Sequence, residues 1–299
     1  MLSLESGEDI ASYPLQSGIS ILRCIDNTSN NNTIVGGLDS GDIVYNSFNK
    51  DNKFRMKCIK SHDDIVSSIC PRYTHPNQFY SCSWDGSIKL WDLTTMKDYT
   101  PIHELSHAHA GIVSDICSSN DGHTLYSTGS DGFIRIWDYR TPSTPRGKNA
   151  GWYKDECIEI INIYEPGSCI LGDVQNDSQL IVGTEYGNII AYDIRRITDK
   201  SQYIWKQRIH QGRVRRLGHF VDRYPSTNHQ SSSPSSSGDG SSYSGDTSGG
   251  SHILVSGSDD NTVLFTKLIY EEDGYIVRGT PVTRYEFMYV YLYIVYNTV

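Results

Sequence analysis

The sequence has no excess of positive charge: 26 lysines and arginines stand against 35 aspartates and glutamates, a formal net charge of −9. Neutralising phosphates requires a basic face, so the balance argues against direct nucleic-acid binding. It favours a basic protein partner, which long-range attraction would draw in. The seven cysteines, at 24, 58, 70, 82, 117, 157 and 169, include no C-x-x-C pair, which removes zinc and redox-motif spacing. An odd number with strand-like neighbours reads as small buried hydrophobes in a reducing compartment. The apolar run FMYVYLYIVY near the C-terminus is too short to span a bilayer. The opening MLSLESGEDI has neither the basic nor the apolar region of a signal peptide. These features point to a cytoplasmic and/or nuclear protein with no membrane partner.

Catalytic signatures are missing as well. No phosphate-cradling glycine motif, H-E-x-x-H or G-x-S-x-G occurs. His107 and His109 form an H-x-H, but the repeat described below already gives His109 a structural task. Asp63 and Asp64 are adjacent and point to opposite sides of an extended segment, which suits neither of them to acid–base work. The expectation is therefore a protein that is not an enzyme, with no catalytic, metal-binding or cofactor-binding residue and no cofactor.

The chain is rich in tyrosine, 21 residues against 7 phenylalanines, as befits half-wet strands. It is also repetitive. SCSWDGSIKLWD (81–92) recurs as STGSDGFIRIWD (127–138), 46 residues later. The same register picks out VGGLDSGDIVYN (35–46), VGTEYGNIIAYD (182–193) and SGSDDNTVLFTK (256–267). The last interval is 74 residues but holds a polar Ser/Gly-rich block at 225–251, whose 27 residues cannot form a core; without them the spacing is 47. Each copy has two alternating apolar runs about a polar turn, and flanking runs add two more, giving four strands. A four-stranded unit of about 40 to 45 residues is one propeller blade, and blades bury their faces only by stacking radially.

These copies resemble the WD-repeat family, with Trp91-Asp92 and Trp137-Asp138 as its signature dipeptides. The resemblance implies an all-β WD-repeat propeller over 18–282, with blades at about 18–60, 61–106, 107–165, 166–210 and 211–282. An N-terminal segment (1–17) precedes it and an aromatic C-terminal tail (283–299) follows. It also implies a hydrogen-bonded tetrad in two blades: His62, Ser81, Asp85 and Trp91, then His109, Ser127, Asp131 and Trp137. Buried polar groups must be paired, and such a chain pairs four at once. The fifth copy keeps His210, Ser256 and Asp260 with Thr266 in the tryptophan slot, and Tyr45 and Tyr192 are expected in that slot in the first and fourth. Trp84, one position before the turn aspartate, lies on the loop face that commonly meets partners; its equivalents are Ser130, Glu185 and Asp259. An exposed tryptophan is a typical interface anchor.

A finer resemblance lies in SHDDIVSSI (61–69) and HAHAGIVSDI (107–116), with the strands that follow them. Over roughly residues 18 to 270 these look like consecutive blades of methylosome protein 50, the WD-repeat partner of the type II protein arginine methyltransferase. That family's ring has seven blades and five copies are readable here, so the expected ring is incomplete. The resemblance implies a non-catalytic scaffold that binds the methyltransferase and presents basic Arg/Gly-rich substrates, histones or Sm-type spliceosomal proteins, for symmetric arginine dimethylation. An alternative comes from WDYR (137–140), the Trp-Asp-x-Arg pattern of substrate receptors in cullin–RING ubiquitin ligases, where Asp138 and Arg140 would dock the adaptor. The basic cluster GRVRRLGHF (212–220) alternates along a strand and is expected to form a solvated edge or rim.

Overall fold

The computed structural model describes residues 15–25, 33–48, 54–95, 100–138, 157–172, 179–196, 203–222, 251–270 and 276–286. The N-terminal segment up to residue 14, the serine-rich block apart from Ser251, and the tail beyond residue 286 lie outside them.

Among the described residues, twenty strands form five four-stranded sheets, each built from consecutive antiparallel strands. The first comprises β1 (Ile19–Ile25), β2 (Thr33–Leu38), β3 (Asp42–Phe48) and β4 (Phe54–Lys60). The second comprises β5 (Val66–Pro71), β6 (Gln78–Ser83), β7 (Ile88–Asp92) and β8 (His103–Leu105). The third runs through β9 (Val113–Ser118), β10 (Thr124–Gly129), β11 (Phe133–Asp138) and β12 (Cys157–Asn162). The fourth runs through β13 (Gly167–Gly172), β14 (Gln179–Thr184), β15 (Asn188–Asp193) and β16 (Trp205–Arg208). The fifth holds β17 (Val214–Asp222), β18 (Ser251–Ser258), β19 (Thr262–Tyr270) and β20 (Ile276–Glu286). Strand β20 runs four residues past the expected blade boundary at 282, because its pairing with β19 continues to Thr262 opposite Glu286.

The tight turn between the second and third strands of each sheet needs a residue in the left-handed region. Glycine supplies it at Gly41, Gly86, Gly132 and Gly187, with φ between 77° and 85°, and Asn261 supplies it in the fifth sheet at 62°. The strands alternate faces, and both faces of the inner sheets are apolar, so each sheet packs on the next. One cluster joins Tyr45, Ile43 and Val35 to Val66, Ile69, Phe79 and Trp91. Equivalent clusters join the second sheet to the third, the third to the fourth and the fourth to the fifth. Their innermost strands, β1, β5, β9, β13 and β17, follow one another around an axis. Among the described residues, β1 and β17 make no packing of this kind, and the five sheets follow one another in an arc.

Each innermost strand carries one bulge, and the extra residue is Ser20, Ser67, Ser114, Ser168 and Arg215 in turn. Three of these serines reach the next sheet. Ser20 Oγ donates to the Val66 carbonyl at 2.5 Å, Ser67 Oγ to Val113 at 2.5 Å and Ser168 Oγ to Val214 at 2.6 Å. At the fifth sheet Arg215 turns to its own Asp259 instead.

Candidate partner-binding face

The strand order places two kinds of loop at the same end of every sheet: the turn between its second and third strands, and the connection that enters its first strand. The tetrads form where these meet. In the second sheet Trp91 Nε1 donates to Ser81 Oγ at 2.8 Å, and Ser81 Oγ lies 2.7 Å from His62 Nε2. His62 Nδ1 faces Asp85 Oδ2 at 3.1 Å and Ser87 Oγ at 2.9 Å. With the proton on Nδ1, the ring donates toward Asp85 and accepts from Ser81, which leaves no member of the chain unpaired. Burial pushes the Asp85 carboxyl up, but hydrogen bonds from His62 and Ser87 outweigh it and hold it well below the usual carboxylate range.

The third sheet repeats the arrangement: Trp137 Nε1 to Ser127 at 2.9 Å, Ser127 to His109 Nε2 at 2.8 Å, and His109 Nδ1 to Asp131 at 2.8 Å. It adds a buried Arg135, which donates to Asp131 Oδ2 at 2.7 Å. Asp131 is held low by His109 and Arg135 against the cost of burial, while burial lowers His109. In the fifth sheet His210 bonds Ser256 at 2.8 Å, Asp260 at 3.3 Å and Thr262 at 2.9 Å. Burial raises Asp260, but bonds led by that from Thr262 bring it down to about 2. Thr266, in the tryptophan slot, buries a hydroxyl that has no hydrogen-bond partner among the described residues.

The other two sheets depart from the pattern. In the fourth, Ile163 takes the histidine's place, its N–H bonding Gly132 O as that of His109 bonds Gly86 O, and Tyr192 takes the tryptophan slot. A separate cluster stands there instead: buried Glu165 accepts from Asn188 Nδ2 at 2.8 Å and from Lys206 Nζ at 2.5 Å. In the first sheet the expected placement of Tyr45 is corrected. Gly41, rather than Ser40, takes the left-handed turn position, which moves the register by one residue. Asn46 therefore lies opposite Ile34, as Trp91 lies opposite Phe79, and Tyr45 faces the second sheet.

Trp84 is 40% exposed and stands at the mouth of a cleft of about 440 Å³. The cleft is lined by Trp84, Asp85 and Gly86 from the β6–β7 turn and by His107, His109, Ala110, Gly111 and Ile112 from the connection into β9. It is thus a junction between the second and third sheets. Asp63, whose N–H bonds Asp85, and Asp64 lie on the connection into β5, and both are exposed. The equivalent residues are spent on neighbouring contacts: Ser130 Oγ accepts from Ile112 N–H at 3.0 Å, Glu185 lies 3.6 Å from Arg213, and Asp259 pairs with Arg215 at 2.5 Å. Two further exposed aromatics lie at the same end, Tyr164 (75%) and Tyr186 (58%). Sequence reading passed over both, although the aromatic Tyr186, in a turn position that Asp85, Asp131 and Asp260 fill in three other sheets, was a visible signal.

The basic cluster is not a solvated rim. Strand β17 is the innermost strand of its sheet, and its bulge at Arg215 breaks the expected alternation. Val214 and Leu217 are buried, while Arg216 crosses the axis to Asp115 Oδ1 at 3.2 Å and to the Ser67 carbonyl at 3.3 Å. The cysteines also divide: Cys70, Cys82 and Cys169 are buried, with Cys169 pushed up to about 12 by burial, whereas Cys24 and Cys58 are exposed. Asp138 of the alternative ligase motif is buried at the end of β11, and Arg140 lies outside the described residues.

Residues 53–92 and 99–138 match the WD40 family, WD domain, G-beta repeat. Both segments are thus similar to WD repeats. The β-propeller domain of Cps50 (Swd1) from Myceliophteria thermophila superposes on 90% of this chain and 72% of its own, with a TM-score of 0.61 at 12% identity, which shows the fold to be a β-propeller. Nuclear distribution protein PAC1 of Candida albicans is 35% identical over 107 residues, 35% of this chain and 21% of that protein. The guanine nucleotide-binding protein subunit beta of Saccharomyces cerevisiae is 26% identical over 184 residues, 58% of this chain and 39% of that protein. The chain thus spans between about a fifth and two fifths of the length of these relatives. None of the three carries the methyltransferase-partner resemblance.

Proposed function

We propose that this propeller is a non-catalytic docking platform that receives a basic protein segment on the face bearing the tetrads, with Trp84 as the anchor. The observation that carries the reading is the exposed indole of Trp84 in a cleft that Asp85 also lines. An aromatic face beside ionised carboxylates suits an arginine or lysine side chain, which gains a cation–π contact and a charge-assisted hydrogen bond in one place. The finer form of this reading makes the partner a type II arginine methyltransferase and the basic segment an Arg/Gly-rich tail. Its support is the resemblance of 61–69 and 107–116 together with the chain's formal net charge of −9.

Titration calorimetry of the wild type and Trp84→Ala with an Arg/Gly-rich peptide tests the platform. Loss of an aromatic anchor of about 2 kcal/mol is expected to lower affinity about 30-fold, with the melting temperature unchanged. A melting shift with unaltered affinity would overturn the anchor. Affinity capture from extract, with the methyltransferase sought in the eluate, tests the finer form.

A further inference from the structure

The fourth sheet lacks both the histidine and the turn aspartate of the tetrad, and the loss reshapes its surface. In the second, third and fifth sheets the turn aspartate also accepts the N–H of the residue that follows the histidine. Asp63 donates to Asp85, Ala110 to Asp131 and Gln211 to Asp260, at 3.1, 3.1 and 2.8 Å. In the fourth sheet Ile163 stands for the histidine and Tyr186 for the aspartate. The residue after Ile163 is Tyr164, whose N–H turns to Asn162 Oδ1 at 2.8 Å instead. Tyr164 has a φ of 61°, a left-handed backbone that an aromatic residue rarely adopts. It is 75% exposed, and Tyr186 is 58% exposed.

Strain of this kind persists only where the surroundings enforce it, and it gathers at functional sites. Here the surroundings do enforce it. The Pro166 carbonyl accepts the Glu185 N–H at 3.0 Å, and Glu165 accepts from Asn188 and Lys206. A side chain at Gly132 would meet the Glu165 backbone, so the connection also lies against the turn of the third sheet. Both tyrosines therefore stand on one fixed junction between the third and fourth sheets.

Among the described residues, the carboxylates of this junction each have a base: Glu165 has Lys206, Glu185 has Arg213 at 3.6 Å and Asp131 has Arg135 at 2.7 Å. Arg208, opposite Asn188, adds an exposed positive charge. A cationic segment is thus disfavoured, in contrast to the cleft that Trp84 shares with Asp85. What the junction offers is two phenol rings and their hydroxyls. A proline-rich segment in the polyproline II conformation suits both. Its pyrrolidine rings pack on aromatic faces, and its carbonyls, which make no internal hydrogen bonds, accept from phenol O–H groups. It is also extended before it binds, so docking orders it little.

We propose that Tyr164 and Tyr186 form a second docking site, which takes an uncharged proline-rich segment of a partner protein and acts separately from the cleft at Trp84.

Fluorescence anisotropy with a labelled proline decamer and the full chain tests it. The wild type is expected to bind saturably. Tyr164→Asn and Tyr186→Asn are each expected to weaken binding at least about fivefold. Asparagine is at ease in turns and in left-handed backbone, so the melting temperature does not fall. Trp84→Ala leaves the decamer's affinity unchanged, and an Arg/Gly-rich peptide does not displace it, so the two sites succeed or fail independently. A wild type that does not bind overturns the proposal, as do tyrosine variants that bind equally well or displacement by the Arg/Gly-rich peptide. Iodination of the wild type, read by mass spectrometry, gives a second measure should a variant unfold. The decamer must protect Tyr164 and Tyr186, and protection confined to other tyrosines refutes the site.

Discussion

At the scale of single residues, the chain shows what a hydrogen-bonded tetrad does by presenting it complete, incomplete and absent. Ser81 and Ser127 each sit between an indole N–H and an imidazole nitrogen. Replacing Ser127 by alanine strands two buried polar groups and is expected to cost about 2 to 3 kcal/mol, read from urea unfolding. Thr266 is the opposite case, since its buried hydroxyl lacks a partner among the described residues. Thr266→Val keeps the shape and removes the desolvated oxygen, so it is expected to stabilise by about 1 kcal/mol and raise the melting temperature. The tetrads were legible in the sequence because histidine, serine, aspartate and tryptophan recur at fixed offsets. Asn46 was not, because a one-residue difference in turn length looks like nothing in an alignment yet exchanges the two faces of a strand.

At the scale of elements, the fifth sheet carries the clearest dependence on pH. His219 on β17 and His252 on β18 stack with centroids 5.1 Å apart and share a hydrogen bond of 3.0 Å. Burial, and then the neighbouring His252, lower His219 from its ordinary 6.5 to about 4. The folded state therefore takes up this proton less readily than the unfolded chain. The pair's contribution is fully present above pH 6.5, falls as pH drops from 6.5 toward 4, and changes no further below that. Melting temperatures measured across this window are expected to decline with acid in the wild type, and the slope is expected to be shallower in His219→Gln. The blade pattern that positions these strands was readable from period-2 alternation and repeat spacing. The bulge in each innermost strand was not, because a bulge adds one residue without altering composition. That bulge is why Arg216 faces the axis and not solvent.

At the scale of the whole molecule, coupling between sheets that are not neighbours runs through Asp115 and Arg216. Asp115 accepts the Ile170 N–H of the fourth sheet and pairs with Arg216 of the fifth, while Arg216 also reaches the Ser67 carbonyl of the second. Arg216→Met leaves a largely buried carboxylate without its countercharge and is expected to lower global stability by up to about 3 kcal/mol. Asp115→Asn combined with Arg216→Met is expected to recover part of that loss, which a double-mutant cycle measures. Nothing in the sequence pointed to this pair, since the two residues are a hundred positions apart and only the curvature of the arc brings them together. The propeller was legible from the repeat; the contact of Arg216 with the second and third sheets follows from three-dimensional packing alone.

The serine bulges give the arc a direction. In each of the three bonds the donor belongs to the earlier sheet and the acceptor to the later one. A chain made from its N-terminus therefore completes the hydroxyl side of these three junctions first, so the later sheet of each meets a donor already in place. Arg215, by bonding within its own sheet, offers no such donor beyond the fifth.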